Sequence, residues 1–188
     1  AAEAGIVVCP ALETYAKTLT EDHDKIVLIE NSLFDPVKLA ADRLESVEAS
    51  ARARAVEAWL SSRREERVLT YAGTLEIYQG IERLLEAFAL VVRTLPDAGL
   101  LVMGGSPLEV HYYRGVADRV GVSDAVHFSG QLPHADAQRL VARGGASISP
   151  RFAGNNTPMK IYQLMAVGMP MVATRIDSHT QVLDDDIA

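Results

Sequence analysis

The sequence predicts an α/β fold: a three-layer, Rossmann-like domain built on a doubly wound parallel sheet of about six strands. Three observations predict it. Beyond residue 66, short β-rich runs alternate with helical stretches. The runs carry little internal polar alternation, as strands covered on both faces do. Glycine-bearing turns follow several of them.

The strands come in order as Val68-Leu69-Thr70-Tyr71-Ala72, Leu100-Leu101-Val102-Met103, Val126-His127-Phe128, Ala146-Ser147-Ile148-Ser149 and Met171-Val172-Ala173-Thr174. The run Lys25-Ile26-Val27-Leu28-Ile29-Glu30 is read as an earlier strand of the same sheet, which makes about six. Between the first two of the regular region, Ile81, Leu84, Leu85, Phe88 and Val91 follow the 3.6-residue period of a helix. Val110, Tyr113, Ala117 and Val120 mark another, with Gly121 as its stop. Residues 36–66 fit less regularly. Asp35-Pro36 reads as an N-cap with proline at the first helical position, and the alanine-rich stretch through Trp59 and Leu60 as helix. The charged run 63–67 reads as a solvated helix end. The methionines at 103, 159, 165, 169 and 171 read as core filling.

Composition narrows the function. Hydrophobic residues make up 48% of the 188, charged residues 23%, and the net charge is -7. That balance fits an ordinary globular domain and argues against nucleic acid as a partner, since phosphate backbones call for a basic face. The one cysteine, Cys9, lies in an apolar run and reads as a small buried hydrophobe, which points to a reducing, cytoplasmic location. No apolar run approaches the roughly 20 residues that span a bilayer. The N-terminus lacks the charged head of a signal peptide and opens straight onto a strand-like run.

In an open parallel sheet, ligands sit outside the carboxyl ends of the strands, near the point where strand order reverses. The turns there are 73–80, 104–107, 129–133 and 149–158. No dinucleotide fingerprint and no Walker-type motif occurs in them. The last turn is the sharpest. Asn156 or Thr157 is placed to cap a helix running from Pro158 through Val167 and closed by Gly168. Lys160 then falls in the first turn, where the helix dipole disfavours a cation. Arg151 lies just off the preceding strand. Two cations at a helix start make sense if an anion completes the site; the bland alternative is a lysine that swings into solvent.

At this point the residues carry a resemblance. Gly73 with its glycine-closed loop, Gly104-Gly105, the run from Val126 to Gly130, and above all the run from Asn156 to Thr174 occur in order at familiar spacing. The last of these, a Pro-x-Lys helix ending Met-Ala-x-Gly before a Pro-Met-Val-Ala-Thr strand, is the most specific. Together they resemble the C-terminal domain of the family 4 retaining glycosyltransferases, over residues 68–188. The resemblance implies one half of a two-domain GT-B fold, which binds a nucleotide diphosphate sugar. Residues 6–19 resemble the last strand and helix of the family's N-terminal domain, and Ile29-Glu30-Asn31-Ser32 the crossover. The implied division is 1–24 as a remnant of the acceptor domain and 25–188 as the donor domain, cut short at Asp186-Ile187-Ala188.

The resemblance also implies site roles. The family's pair of glutamates eight positions apart falls on two amides: Asn155, facing the donor sugar, and Gln163, facing the ribose. The arginine and lysine of the first glycine loop fall on Thr74 and Gln79. Arg151, Lys160 and the helix start at Asn156 and Thr157 are left to stabilise the departing diphosphate. Gly73 and Gly104 line the donor site, and the loop after Phe128, with Gly130 and Leu132, borders the base. No cofactor or divalent metal is implied. No Asp-x-Asp motif occurs, and Asp184-Asp185-Asp186 reads as a solvated turn. His179 either begins a short helix facing the cleft or is a plain helix-start residue. The implied partners are the sugar nucleotide and the absent acceptor domain, with peripheral membrane contact left to the full-length enzyme. The contrary reading is a non-catalytic nucleotide-binding or interaction module of the same fold. An epimerase of this fold would call for acidic residues near the anomeric carbon, where amides stand.

Overall fold

The computed structural model describes residues 3–29 and 47–185. The expected helix start at Asp35-Pro36, residues 30–32 of the expected crossover 29–32 and the last three residues lie outside them.

The regular region folds as its period predicts. Strands β3 (Val68–Ala72), β4 (Gly99–Met103), β5 (Val126–Gly130), β6 (Ala146–Ser149) and β7 (Met171–Ala173) form one parallel sheet in the order β5-β4-β3-β6-β7. Order therefore reverses between β3 and β6. Helices α3 (Ile81–Thr94) and α4 (Pro107–Val120) carry one core, where Leu85, Phe88, Tyr113 and Val116 meet Leu100 and Val102. Helices α2 (Val47–Ser61), α5 (His134–Val141) and α6 (Met159–Ala166) carry the other, where Val56, Leu60, Leu140 and Leu164 meet Leu101 and Met103. Alternate residues of β4 thus enter opposite cores, and every one of its five residues is buried. That explains its unbroken apolar run and completes the three layers.

One expectation fails. The described part of the run read as an earlier strand, residues 25–29, does not join the main sheet. Its strand β2 (Ile26–Leu28) pairs in parallel with β1 (Gly5–Val7) across helix α1 (Pro10–Lys17), leaving five strands in the main sheet. β1, α1 and β2 form a βαβ unit of their own, so a division after residue 24 would part β2 from the strand it bonds.

Local chemistry sets the turns that matter. Ser106 and Glu109 form a reciprocal capping box at the start of α4, and Gly121 ends that helix in the left-handed region, as expected. Gly80 opens α3 at φ +75°, with the Pro150 carbonyl where a Cβ would stand. The loops after β3 and β6 touch there, at the point of strand-order reversal. Among the described residues, no helix is long and apolar enough to cross a membrane.

Candidate functional site

The site forms where β3 and β6 lie side by side. Tyr71, the fourth residue of β3, is fully buried, and its hydroxyl donates to the Thr74 carbonyl at 2.6 Å. Burial pushes its phenol far above the ordinary range. This bond curls the chain back directly after the strand and leaves Gly73 exposed at the bend. The Gly73 N–H reaches Met103 O at 3.0 Å, and the Gly104 N–H reaches Gly130 O at 2.8 Å. Three of the expected glycines therefore knit adjacent strand ends together. A Cβ at Gly104 would overlap the Gly73 carbonyl, so that position has room for glycine alone.

Lys160 rises from the first turn of α6 into this bend. Its Nζ lies 4.2 Å from the centroid of the Tyr71 ring and 3.5 Å from Gln79 Oε1. Gln79 in turn donates to Thr74 Oγ1 at 3.3 Å. Gly73, Thr74, Gln79 and Lys160 thus form one cluster, although Lys160 is 81 residues from Gln79 in sequence. Among the described residues no carboxylate pairs with Lys160. Burial, and then the nearby positive charge of Arg151, bring the ammonium pKa down to about 7.

Arg151 is buried to 6% exposure. Its guanidinium turns back on its own loop: Nε donates to Ala153 O at 2.5 Å, Nη1 to Asn156 O at 3.2 Å, and Nη2 to Asn156 Oδ1 at 3.1 Å. The Tyr78 ring lies 5.3 Å from its central carbon. Asn155 is exposed at the outer side of the loop. Its carbonyl accepts from Gln181 Nε2 at 3.2 Å and from Cys9 Sγ at 3.5 Å, which ties the β1–α1 unit to this loop.

The capping expectation needs correction. α6 starts at Met159, its N-cap is Pro158, and no side chain caps it. Pro158 is itself extended, at ψ 133°, and takes the N-cap position, which leaves Thr157 one residue outside it. Thr157 is instead buried, and the Asn156 side chain serves Arg151. Among the described residues no side chain caps the first N–H groups of α6, of which Ile161 N–H reaches Pro158 O at 3.0 Å. Gly168 does close the helix, at φ +65°.

Other expected residues stand apart. Gln163, one turn along α6, sits against His134 at 3.4 Å, on the side of the site nearer α5. The Phe128 ring is core, packed with the α3 and α4 cluster, so only the turn beyond it reaches the strand edge. Leu132 packs against the second core. Asp185 of the acidic trio is ion-paired with Arg175.

Sequence reasoning missed Tyr71, which reads as a strand residue, and gave Tyr78 and Gln181 no part. It left His179 open between two readings. His179 is 1% exposed; Nδ1 donates to Thr174 O at 2.7 Å, so Nε2 accepts from Ser149 Oγ at 3.1 Å. Burial holds its pKa below the usual range, against the Thr174 carbonyl and with help from Lys160 and Arg151. The neutral ring locks the ends of β6 and β7 together behind the site and does not face the cleft.

Comparison with known proteins identifies the family and the fold. A family model described as glycosyl transferases group 1 matches residues 66–188. A phosphatidyl-myo-inositol mannosyltransferase of Mycobacterium tuberculosis is 28% identical over 107 residues, which is 57% of this chain and 27% of that protein. A D-inositol 3-phosphate glycosyltransferase of Segniliparus rotundus is 27% identical over 126 residues, 65% of this chain and 28% of that protein. The matched stretches therefore span under a third of the length of these relatives. Among solved structures, Anabaena Alr3699/HepE in complex with UDP superposes with a TM-score of 0.72 at 19% identity, covering 97% of this chain and 48% of that one. WaaG, a glycosyltransferase involved in lipopolysaccharide biosynthesis, gives 0.68 at 15% identity over 93% and 45%. At such identities the structural likeness speaks for the fold. The chain belongs to the glycosyl transferases group 1 family, as a Rossmann-like half of a GT-B, family 4 type glycosyltransferase.

Proposed function

We propose that this chain is the donor-binding half of a retaining glycosyltransferase, which holds a nucleotide diphosphate sugar while an acceptor domain outside this chain presents the acceptor. One observation carries the reading: Lys160, a partly buried ammonium with no carboxylate partner among the described residues, stands at the uncapped start of α6 beside the Gly73 bend. A cation held there at an electrostatic cost is relieved by an anion bound against the same helix N–H groups.

In transfer, the bond from the anomeric carbon to the diphosphate oxygen breaks and its electron pair leaves with the diphosphate. Lys160 and the N–H groups of α6 oppose that growing charge, and so act more strongly on the transition state than on the bound donor. Asn155 accepts from hydroxyls of the donor sugar and Gln163 from those of the ribose, as neutral amides without the added strength of carboxylates. The turn at Gly130 borders the base. The protein works in the cytoplasm, and the isolated chain binds donor without completing transfer.

The two amides also favour a second reading, a nucleotide-binding module that has lost the chemistry. Calorimetry on this chain with uridine, guanosine and adenosine diphosphates, and with their sugars, separates the two. UDP comes first in the panel, because the Anabaena relative was crystallised with it. Binding of a diphosphate and of its sugar supports the donor site; a diphosphate that binds while every sugar form is refused supports the module. Silence across the whole panel removes both.

A further inference from the structure

We infer that Arg151 is a positioning residue, whose guanidinium closes residues 151–156 into a rigid ring that presents the Asn155 amide to the donor sugar, and that the diphosphate is left to Lys160. The inference rests on the donor-site reading above and deepens it. A cation near a helix start is naturally taken as a phosphate ligand, and the sequence suggests that role for Arg151. The geometry points elsewhere.

Three of the five N–H groups of the guanidinium are committed to the main chain and side chain of its own loop. The planar fork is what allows one side chain to span Ala153 and Asn156 at once. Gly154 completes the arrangement. It adopts φ +121°, and a Cβ there would overlap the guanidinium itself, so the ring closes only around a residue without a side chain. The base of the loop is held too: Thr174 Oγ1 donates to the Arg151 carbonyl, and Phe152 N–H donates to Tyr78 O at 3.0 Å. At the far side the Asn155 carbonyl is pinned by Gln181 and Cys9. Asn155 is exposed and lies between Ala153 and Asn156, the two residues that the guanidinium holds. A loop constrained so heavily holds its amide in one place before the sugar arrives, and pre-organisation of that kind is worth more than a further contact.

The charge and the fork are separable by substitution. Arg151→Lys keeps the positive charge and removes the fork; Gly154→Ala keeps the arginine and denies it room. If Arg151 positions the loop, both variants bind the plain nucleoside diphosphate within about threefold of the parent, yet lose about tenfold or more in affinity for the diphosphate sugar. If Arg151 is a diphosphate ligand, Arg151→Lys keeps most affinity for both ligands while Arg151→Ala loses both, and the inference is overturned. A readout without nucleotide stands beside this one. Chymotrypsin, which cleaves after aromatic residues, is the probe of this loop, since Phe152 is 37% exposed. Cleavage there speeds up by about tenfold in Arg151→Lys and Gly154→Ala, with cuts elsewhere unchanged, if the ring is what restrains the loop. Unchanged cleavage at Phe152 in both variants overturns the inference even where nucleotide binding is normal. A parent chain that binds no nucleotide ends the donor-site reading instead, and leaves the ring to be judged by cleavage alone.

Discussion

Replacing Lys160 with methionine gives two effects of opposite sign, and their combination tests the site most sharply. Methionine keeps the length and apolar stem of the side chain and removes the charge. In the free protein that charge is a burden. Burial and Arg151 bring its pKa from 10.5 to about 7. The folded pKa lies below the unfolded one, so the unfolded chain binds the extra proton between them, and stability rises with pH across that window. The full shift corresponds to about 5 kcal/mol as a ceiling; halved for partial solvent screening, it leaves a penalty of roughly 2 kcal/mol below pH 7. Lys160→Met should therefore be more stable than the parent at pH 6, by about 5 °C in Tm, with the advantage fading towards pH 10. In the complex the charge is an asset. A charge-assisted bond to phosphate contributes about 1.5–3 kcal/mol, so the variant should lose about 10- to 100-fold in affinity for a nucleoside diphosphate. Parent affinity should fall as pH rises above 7, with proton uptake on binding, while the variant stays flat. Calorimetry in two buffers of different ionisation enthalpy reads the proton directly. A variant that is destabilised at pH 6, or that binds with undiminished affinity, would refute the reasoning.

Two further outcomes follow from the surrounding frame. Gly80→Ala should cost about 3 kcal/mol, since it sets a side chain at φ +75° against the Pro150 carbonyl, whereas Gly121→Ala, at φ +77° in open space, should cost about 1 kcal/mol. Equal costs in urea melts would show that the contact between the β3 and β6 loops contributes nothing. His179 is held neutral below its ordinary pKa, so the parent keeps its full stability above pH 6.5 and loses it as pH falls through the lower folded value. His179→Asn, which retains a donor for the Thr174 carbonyl, should flatten that acid slope; a slope that persists in urea midpoints between pH 7.5 and 5.5 would assign it to other groups.

Much of the fold was legible because it depends on period and punctuation. The residues of α3 and α4 repeat at helical spacing, and the buried strands read as unbroken apolar runs. The misplaced strand shows the limit of such signals. Ile26, Val27 and Leu28 are as strand-like as Leu100, Leu101 and Val102, and nothing in composition says which sheet a strand will join. That choice is topological: β1 and α1 precede β2 closely enough to capture it as the second strand of a βαβ unit. The site divides in the same way. The turn that holds Gly73, Thr74 and Gln79 was legible from its position after a strand, and the family resemblance picked out Thr74 and Gln79 within it. The guanidinium ring was not, because it depends on the backbone angle of Gly154, which no spacing rule encodes.

The contrast between the two cations follows from how each is satisfied. Arg151 has three of its five donors committed within its own loop, and part of its field falls on Lys160. Among the described residues Lys160 has an amide oxygen at 3.5 Å and a ring face at 4.2 Å, and no carboxylate. A structure selected for stability alone would place a carboxylate opposite it, or replace it by an apolar residue. It also stands in the first turn of a helix, the end where a cation is least welcome, beside N–H groups that no side chain caps. These are separate costs with different physical origins: one is desolvation, one repulsion by Arg151, and one the helix dipole. A single bound anion offsets all three, which no rearrangement of the neighbouring neutral side chains would do.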